Sequence, residues 1–565
     1  MRILIKKLTI ATCLLLMMGS LRSQSTIEAY RLLYYQRYEG ATHLLQSILK
    51  ADPNNAEAWW LLTRAYLHSG KTNIIRDSLR ILPRGNADAP LVLCAYGQVL
   101  LQDNKKDSAG LCFNKALDET KQKDPRVMLA IALAQQDAPA GDAGYAIDLL
   151  NRAIKRDKRN PELYVALGNA YRKLANGAES YKAYQSALEQ DSRYAEAAYR
   201  MGKIFLSQAN EPMYVKYFND AVAADSLFGP AWYELYYHYY FKDVNKAMDC
   251  LLHYIAASDK SSANDYLLTD LLYASRKYQD AIQHAQLILG QQGQQAEPRL
   301  FKLVAYSYKE LNDSARALEY MRAYFGRQND TGFVVKDYET MGDIYDKMQQ
   351  PDSAASYYVR AAALEKDTVK SIAYDKKLAE LYKRLKDYPN QATWLGKYYQ
   401  HSAQSTNLDL FNWGLANYMA KDYPMADSVF GLYETKYPDQ DFGYYWRARS
   451  DAAIDTNMTM GMAIPHYLKL IDIAGKDTTS KTNRKHLVES YGYIAAYKAN
   501  SEKDYAGAID YFEKLLSLDP GNTDAQRYIS ILKKNQEKAA RQTDKADKGD
   551  RSDKLGKNET SKAGR

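Results

Sequence analysis

Cysteine and proline are scarce in this chain, which has four cysteines and 15 prolines among 565 residues. Leucine, alanine and tyrosine dominate instead, and 50 tyrosines are far more than ordinary usage. Cys13 lies in an N-terminal apolar run, so Cys94, Cys112 and Cys250 remain for a mature protein. An odd number of thiols cannot form a complete disulfide framework, so we expect these three residues in packing positions.

Motifs that carry catalysis or bind metals are also missing. The eight histidines are scattered, with no His-Glu-x-x-His and no paired cysteine spacing suited to zinc. The chain has neither the Gly-x-Ser-x-Gly turn of serine hydrolases nor a glycine-rich phosphate loop. We therefore predict a protein that is not an enzyme and that uses no metal or cofactor.

A positive charge on the folded region is missing as well, although the formal net charge is +8. Residues 1–23 carry +4 and residues 533–565 carry +5, which leaves about −1 for everything between them. A nucleic-acid-binding protein carries its basic residues on the folded surface. The charge distribution therefore argues against a nucleic-acid partner.

The N-terminus has the features of a secretory signal peptide. Basic residues precede an apolar run from Leu8 to Met18, and a Gly- and Ser-containing segment follows. We expect the signal peptide to be cleaved after Ser23, with cleavage after Ser20 as the alternative. The run is short for a membrane span, and no later stretch approaches the required length. We expect a soluble, exported mature protein, with residues 1–23 as the signal peptide.

A period of 34 residues organises most of the chain, and Pro161–Tyr194 shows it most clearly. Shifting by one period places Leu167, Gly168 and Tyr171 on Met201, Gly202 and Phe205. Large apolar residues in one phase and small residues in another indicate stacked helical hairpins.

Glycine in the middle of a helix needs a structural reason, because it costs roughly 1 kcal/mol relative to alanine. Gly168 and Gly202 occupy the same phase of the repeat. We expect the second helix of each hairpin to approach closely there, with a small residue such as Ser180 opposite the glycine.

The repeat resembles the tetratricopeptide (TPR) repeat, and the resemblance covers nearly all of residues 25–520. The matching positions in the clearest copy are Tyr164, Leu167, Gly168, Tyr171, Ser180, Tyr184 and Ala187. The implied fold is all-α: a right-handed superhelical α-solenoid of about fourteen hairpins over residues 24–521. Two units depart from the pattern, one around Tyr382 and Tyr388 and one over residues 441–481, which has an insertion before Ile464.

The end of the chain is expected to differ from the repeats. Residues 522–542 read as one more helix that caps the array, because repeat proteins need a polar terminal face. Residues 543–565 contain almost no apolar side chain and mix both charges. Such a segment cannot bury enough surface to offset its chain entropy, so we predict a disordered tail.

The TPR resemblance also implies a concave groove lined by the first helix of each hairpin. Transferring the groove positions onto this sequence predicts a peptide-binding surface centred on residues 161–245. The known lysine–asparagine carboxylate clamp is not reproduced, because Val165 stands where the clamp has lysine. The predicted groove residues are Asn169, Arg172, Tyr199, Lys203, Tyr233, Tyr237, Tyr240, Lys302 and Tyr306.

The sequence therefore predicts a non-enzymatic scaffold that binds proteins or peptides. The signal peptide and tyrosine-rich repeats resemble exported TPR proteins of Bacteroidetes, which implies the periplasm of a Gram-negative bacterium and a role in envelope assembly or secretion. Two alternatives stay open: a solenoid platform of an envelope hydrolase or carbohydrate-active protein, and a contact of the basic tail with acidic lipids.

Overall fold

The computed structural model describes residues 26–80, 82 and 86–538. The predicted signal peptide and the predicted charged tail, residues 543–565, lie outside these residues. In the described part, helices are the regular secondary structure and no β-strand occurs. The chain divides into two compact units between Leu311 and Asn312.

The first unit contains seventeen α-helices among its described residues. Their bounds are α1 26–34, α2 Tyr38–Ala51, α3 Ala56–His68, α4 Thr72–Arg80, α5 Pro90–Gln102, α6 Lys106–Glu119, α7 Pro125–Asp137, α8 Ala143–Arg156, α9 Pro161–Lys173, α10 Gly177–Gln190, α11 Ala195–Ser207, α12 Glu211–Ala224, α13 Gly229–Tyr239, α14 Val244–Ala257, α15 Ser262–Ala274, α16 Tyr278–Gln292 and α17 Pro298–Glu310.

The second unit contains twelve α-helices in the part that the structure describes. Their bounds are α18 Ser314–Phe325, α19 Val335–Lys347, α20 Pro351–Leu364, α21 Thr368–Leu385, α22 Tyr388–His401, α23 Asn407–Met419, α24 Tyr423–Lys436, α25 Asp441–Ile454, α26 Ile464–Ala474, α27 Lys481–Tyr497, α28 Tyr505–Leu518 and α29 523–538.

Taken in chain order, the described helices make fourteen consecutive pairs followed by α29. The prediction of an all-α solenoid built from about fourteen hairpins is therefore confirmed. The final helix lies within residues 522–542, where the sequence predicted a cap. None of the helices in the described ranges combines the length and apolar character needed to cross a bilayer.

Helix N-caps begin several of the hairpins, and residues with left-handed backbone conformation form several of their turns. At the start of α9, the Asn160 side chain accepts a hydrogen bond from the backbone N–H of Glu162, and Pro161 occupies the first turn. Both residues suit a helix N-terminus, because the cap satisfies a free N–H and proline has none to satisfy. The turn from α9 to α10 passes through Ala175, whose φ of 57° is left-handed.

Close approach of the two helices explains the repeated glycines. A Cβ added to Gly168 would lie 2.3 Å from Cε1 of Tyr184, and one added to Gly202 would lie 2.6 Å from Cε1 of Phe218. The predicted close approach is confirmed, but an aromatic ring of the second helix fills the space. Ser180 contributes differently, because its hydroxyl donates a hydrogen bond to the carbonyl oxygen of Gly168 at 2.8 Å.

The predicted insertion in the unit beginning at Asp441 is present as a long connection between α25 and α26. The Asp455 carboxylate organises it by accepting hydrogen bonds from the backbone N–H groups of Thr459, Met460 and Gly461 at 2.8–3.0 Å. These bonds hold the pKa of Asp455 below its usual value, against the opposing effect of desolvation. The Asp455 side chain therefore anchors this connection through three backbone hydrogen bonds.

The three cysteines expected in packing positions are free thiols. Cys94 and Cys250 are buried and Cys112 is half-buried. Burial raises the pKa of the Cys250 thiol to about 11. These thiols are thus protonated and unreactive near neutral pH.

Candidate partner-binding site in the first unit

The N-terminal hairpin of the first unit contacts loops far along the chain. The Tyr35 hydroxyl donates a hydrogen bond to the Asp225 carboxylate at 2.8 Å. Asp259 accepts hydrogen bonds from the backbone N–H groups of Glu39 and Gly40 at 2.8 and 3.3 Å. Helices α1 and α2 are therefore fastened to the loops that precede α13 and α15.

Aromatic packing supports the same closure. The Tyr34 ring lies 5.4 Å from the ring of Tyr194 and 5.2 Å from the ring of Phe228, measured between centroids. The Tyr34 hydroxyl also accepts a hydrogen bond from the backbone N–H of Glu196 at 3.2 Å. As a result, α1 faces α9 and α11 across a cavity of about 110 Å³.

The predicted groove residues of α9 have different environments. Asn169 lines this cavity, and its side-chain oxygen accepts a hydrogen bond from the Tyr184 hydroxyl at 2.7 Å. Arg172 is exposed. Val165, where the carboxylate clamp would require lysine, is buried and lines the cavity with its apolar side chain.

The predicted groove residues of α11 are held by neighbouring side chains. Tyr199 is only 8% exposed, and its ring packs 5.8 Å from Phe218 and 5.5 Å from Phe228. Burial raises its pKa to about 12, so the phenol is neutral. Lys203 forms an ion pair with Glu234 of α13, with 2.7 Å between Nζ and Oε1.

Predicted groove residues around α13 also reach solvent. Tyr237 is 68% exposed, Tyr233 is 36% exposed and Tyr240 is half-buried. Phe241 follows directly and is 89% exposed. We call these four residues the α13 aromatic surface.

Sequence reasoning missed Phe241, because it follows the helical positions that the repeat assigns to the groove. The signal for it was the run of aromatic residues from Tyr236 to Phe241, which ends at a charged turn. The ring of Phe241 lies edge-on to Tyr240, with 4.7 Å between centroids. The exposed surface therefore extends past the end of the helix.

The remaining predicted residues, Lys302 and Tyr306, lie on α17 and are half-buried. The Tyr306 ring is 6.3 Å from that of Tyr273 on α15. The structure thus places Tyr233 and Tyr237 on α13 and Tyr240 directly after it, with Lys203 joined to α13 through Glu234. Asn169 instead belongs to the internal cavity.

Two stretches of the chain, residues 32–73 and residues 496–522, match family models of the tetratricopeptide repeat. The first spans α2 and α3, the second includes α28, and the same paired-helix pattern recurs between them. The chain contains tetratricopeptide repeats, as its sequence predicted. No curated protein matches it.

The solved structures that match the chain include TPR proteins. The C-terminal part of a TPR repeat-containing protein from Cytophaga hutchinsonii is 25% identical, with a TM-score of 0.28 over 46% of this chain and 98% of that one. A tetratricopeptide repeat protein from Parabacteroides merdae is 16% identical, with a TM-score of 0.28 over 46% and 98%. PilW, a type IV pilus biogenesis factor, is 20% identical, with a TM-score of 0.26 over 36% and 93%. These TM-scores are too low for any of the three to inform the arrangement of this chain.

Proposed function

We propose that this protein is a non-enzymatic scaffold of the bacterial envelope whose α13 aromatic surface binds an extended segment of a partner protein. The observation that carries the proposal is the exposure of Tyr237 and Phe241, at 68% and 89%. TPR arrays commonly serve as protein-interaction scaffolds. Contiguous exposed aromatic side chains mark interaction sites, because leaving them in water forgoes the free energy of burial.

The chemistry of this surface suits a peptide. Tyrosine rings supply flat contact area at a low cost in conformational entropy, and their hydroxyls can bond a peptide backbone. The ion pair between Lys203 and Glu234 places one charge of each sign beside Tyr233. We infer that the partner presents apolar side chains to the rings and polar backbone groups to the tyrosine hydroxyls and to the charged side chains of Lys203 and Glu234.

Export to the periplasm is part of the proposal. It rests on the basic start and apolar run of residues 1–23 and on the resemblance to exported Bacteroidetes proteins. Mass spectrometry of the mature N-terminus in the native host tests it, with cleavage after Ser23 or Ser20 expected. Recovery of an intact N-terminus in the cytoplasmic fraction would refute export while leaving the binding surface to be judged separately.

Binding is tested by cross-linking and mass spectrometry of partners captured by the full chain and by the double variant Tyr237→Ala/Phe241→Ala. Capture of specific partners is expected to fall about tenfold or more, since aromatic truncation at an interface commonly costs about 2 kcal/mol. The matched control is Leu111→Ala/Leu287→Ala, an equally exposed apolar pair on the second helices α6 and α16. Undiminished capture by the aromatic variant would exclude this surface.

A further inference from the structure

We propose that the cavity between α1, α3, α9 and α11 binds a small zwitterion, a free α-amino acid, with its carboxylate on Arg64 and its ammonium group on Glu162. This site is separate from the α13 aromatic surface and does not depend on the protein-binding function. The proposal rests on side chains that enclose the cavity but leave two opposite charges unpaired.

A hydrogen-bond donor without an acceptor lies on one side of the cavity. The Arg64 guanidinium lines the cavity and lies 5.5 Å from the Trp60 ring. Arg64 Nε is buried and has no hydrogen-bond partner in the described structure. Buried donors in native proteins are nearly always satisfied, so this one points to an acceptor that occupies the cavity.

A buried guanidinium such as that of Arg64 needs a charged partner in addition to an aromatic ring. None of the described carboxylates forms an ion pair with Arg64, whereas other arginines of this unit have such partners. Burying an unpaired charge is costly, and the planar guanidinium presents parallel N–H groups that match a carboxylate. A ligand carboxylate therefore fits what Arg64 lacks.

A carboxylate without an ion-pair partner lies on the other side. Glu162, at the start of α9, lines the same cavity and forms no ion pair with any of the described basic side chains. Burial raises the pKa of its carboxyl group, with Arg64 and the Tyr30 hydroxyl acting in the opposite direction. A bound ammonium group would restore a charged partner to Glu162.

The other charges of the cavity already have partners. Arg200 and Glu196 are 2.9 Å apart between Nη2 and Oε1, and His68 and Asp137 are 3.4 Å apart between Nε2 and Oδ2. Both pairs line the cavity. What remains is one cation, Arg64, and one anion, Glu162, which both line the cavity and form no ion pair with each other. A ligand that carries both charges close together meets both needs at once.

The size of the cavity limits the ligand. A volume of about 110 Å³ is enough for a few water molecules or for a small polar ligand such as glycine or alanine. The amide side chains of Gln136 and Asn169 also line the cavity, and they supply further hydrogen-bonding groups.

Isothermal titration calorimetry on the full chain tests the proposal, with glycine, alanine, acetate and methylammonium as separate probes at millimolar concentration. We expect saturable binding of glycine or alanine and at least tenfold weaker binding of acetate and of methylammonium. Equal binding of either single-charge probe overturns the zwitterion assignment. Absence of binding by all four overturns the site, since water then fills the cavity.

Variants locate the binding within the cavity. Arg64→Met and Glu162→Gln are each expected to weaken glycine or alanine binding at least tenfold, because each removes one charged contact. Arg152→Met is the control, since Arg152 lies on α8 and pairs with Asp148 on its own helix. Unchanged affinity in Glu162→Gln would contradict the proposal even if Arg64→Met failed to fold.

Discussion

Tyr35 donates a hydrogen bond from its phenol to the carboxylate of Asp225, 2.8 Å away, across a separation of 190 residues. The Tyr35 side chain is buried, and burial raises the pKa of its phenol. The bond joins the end of α1 to the loop before α13. Without this hydrogen bond, the N-terminal hairpin keeps its own packing but loses one contact with the rest of the first unit.

The first prediction concerns this hydrogen bond between Tyr35 and Asp225. Tyr35→Phe removes the hydroxyl and leaves the ring, so the hairpin should open locally more often. A hydrogen bond to a charged group contributes about 1.5–3 kcal/mol, so amide hydrogen exchange in α1 and α2 should accelerate about tenfold or more. The change should concentrate in these helices, because local opening exposes only the unfastened element.

Tyr181→Phe provides the control for that experiment. It removes a hydroxyl that lies 2.8 Å from the Tyr217 hydroxyl between α10 and α12. Its effect should stay in those two helices. Equal acceleration of α1 by both variants would mean that the bond between Tyr35 and Asp225 does not fasten the hairpin.

The second prediction concerns the packing of Gly168 against Tyr184. Gly168→Ala places a methyl group 2.3 Å from the Tyr184 ring, so the helices must separate or the ring must move. We expect the free energy of unfolding of the first unit to fall by about 1–3 kcal/mol, the usual cost of overpacking. Urea denaturation followed by circular dichroism measures it.

Gly177→Ala is the matched substitution. No heavy atom lies within 4 Å of a Cβ built on Gly177, and this residue begins α10. Alanine there should leave stability unchanged or raise it slightly, since it reduces the entropy of the unfolded chain. A loss equal to that of Gly168→Ala would show that the ring contact is not the cause.

The third prediction concerns the turn from α9 to α10. Ala175 has a φ of 57°, a conformation that costs a residue with a Cβ about 1–2 kcal/mol. Ala175→Gly should relieve this strain and, after the entropy that glycine adds to the unfolded chain, stabilise the unit by up to about 1 kcal/mol. Ala178→Gly, at the second residue of α10, should instead destabilise it, because Ala178 lies in a helix. Thermal unfolding of both variants checks the opposite signs.

The fourth prediction concerns pH and the buried Asp451 of the second unit. Desolvation, together with the nearby Asp427 carboxylate, raises the pKa of Asp451 to about 6, with His466 and Arg447 opposing. The folded protein therefore binds a proton more tightly than the unfolded chain does, so this group's contribution to stability is lost as pH rises from about 4 to 6.

Asp451→Asn removes that dependence. Relative to the variant, the wild type should lose up to about 3 kcal/mol of unfolding free energy between pH 4 and 7, the equivalent of a shift of about two pKa units. Urea denaturation of both proteins across this range measures the difference. If the difference in unfolding free energy between the two proteins does not change with pH, Asp451 does not titrate with a raised pKa in the folded state.

The repeat pattern was readable from the sequence because it is local. Leu167, Gly168 and Tyr171 lie on one helix, and their partner Tyr184 lies on the next, so a single period contains the whole contact. The same reasoning placed the insertion before Ile464. It failed to identify the ring opposite Gly168, because a one-letter pattern does not distinguish Tyr184 from Ser180 as the residue that fills the space.

The groove residues were harder to predict for a physical reason. The repeat phase assigns Tyr199 and Tyr233, which lie one 34-residue period apart, to equivalent positions, yet Tyr199 is 8% exposed and Tyr233 is 36% exposed. Phe228, in the connection before α13, covers Tyr199. Irregular connections are not part of the periodic signal, so their effect on exposure appears only in three dimensions.

The sequence by itself determined the class of fold, the number of hairpins and the position of the final helix, since each follows from contacts between neighbouring segments. Only the tertiary structure decided which residues meet across several hairpins. The bond from Tyr35 to Asp225, the unpaired Arg64 and Glu162 in one cavity, and the exposure of Phe241 all depend on how small differences between successive hairpins add up within the first unit. That sum is a property of the packed chain and is not contained in any single repeat.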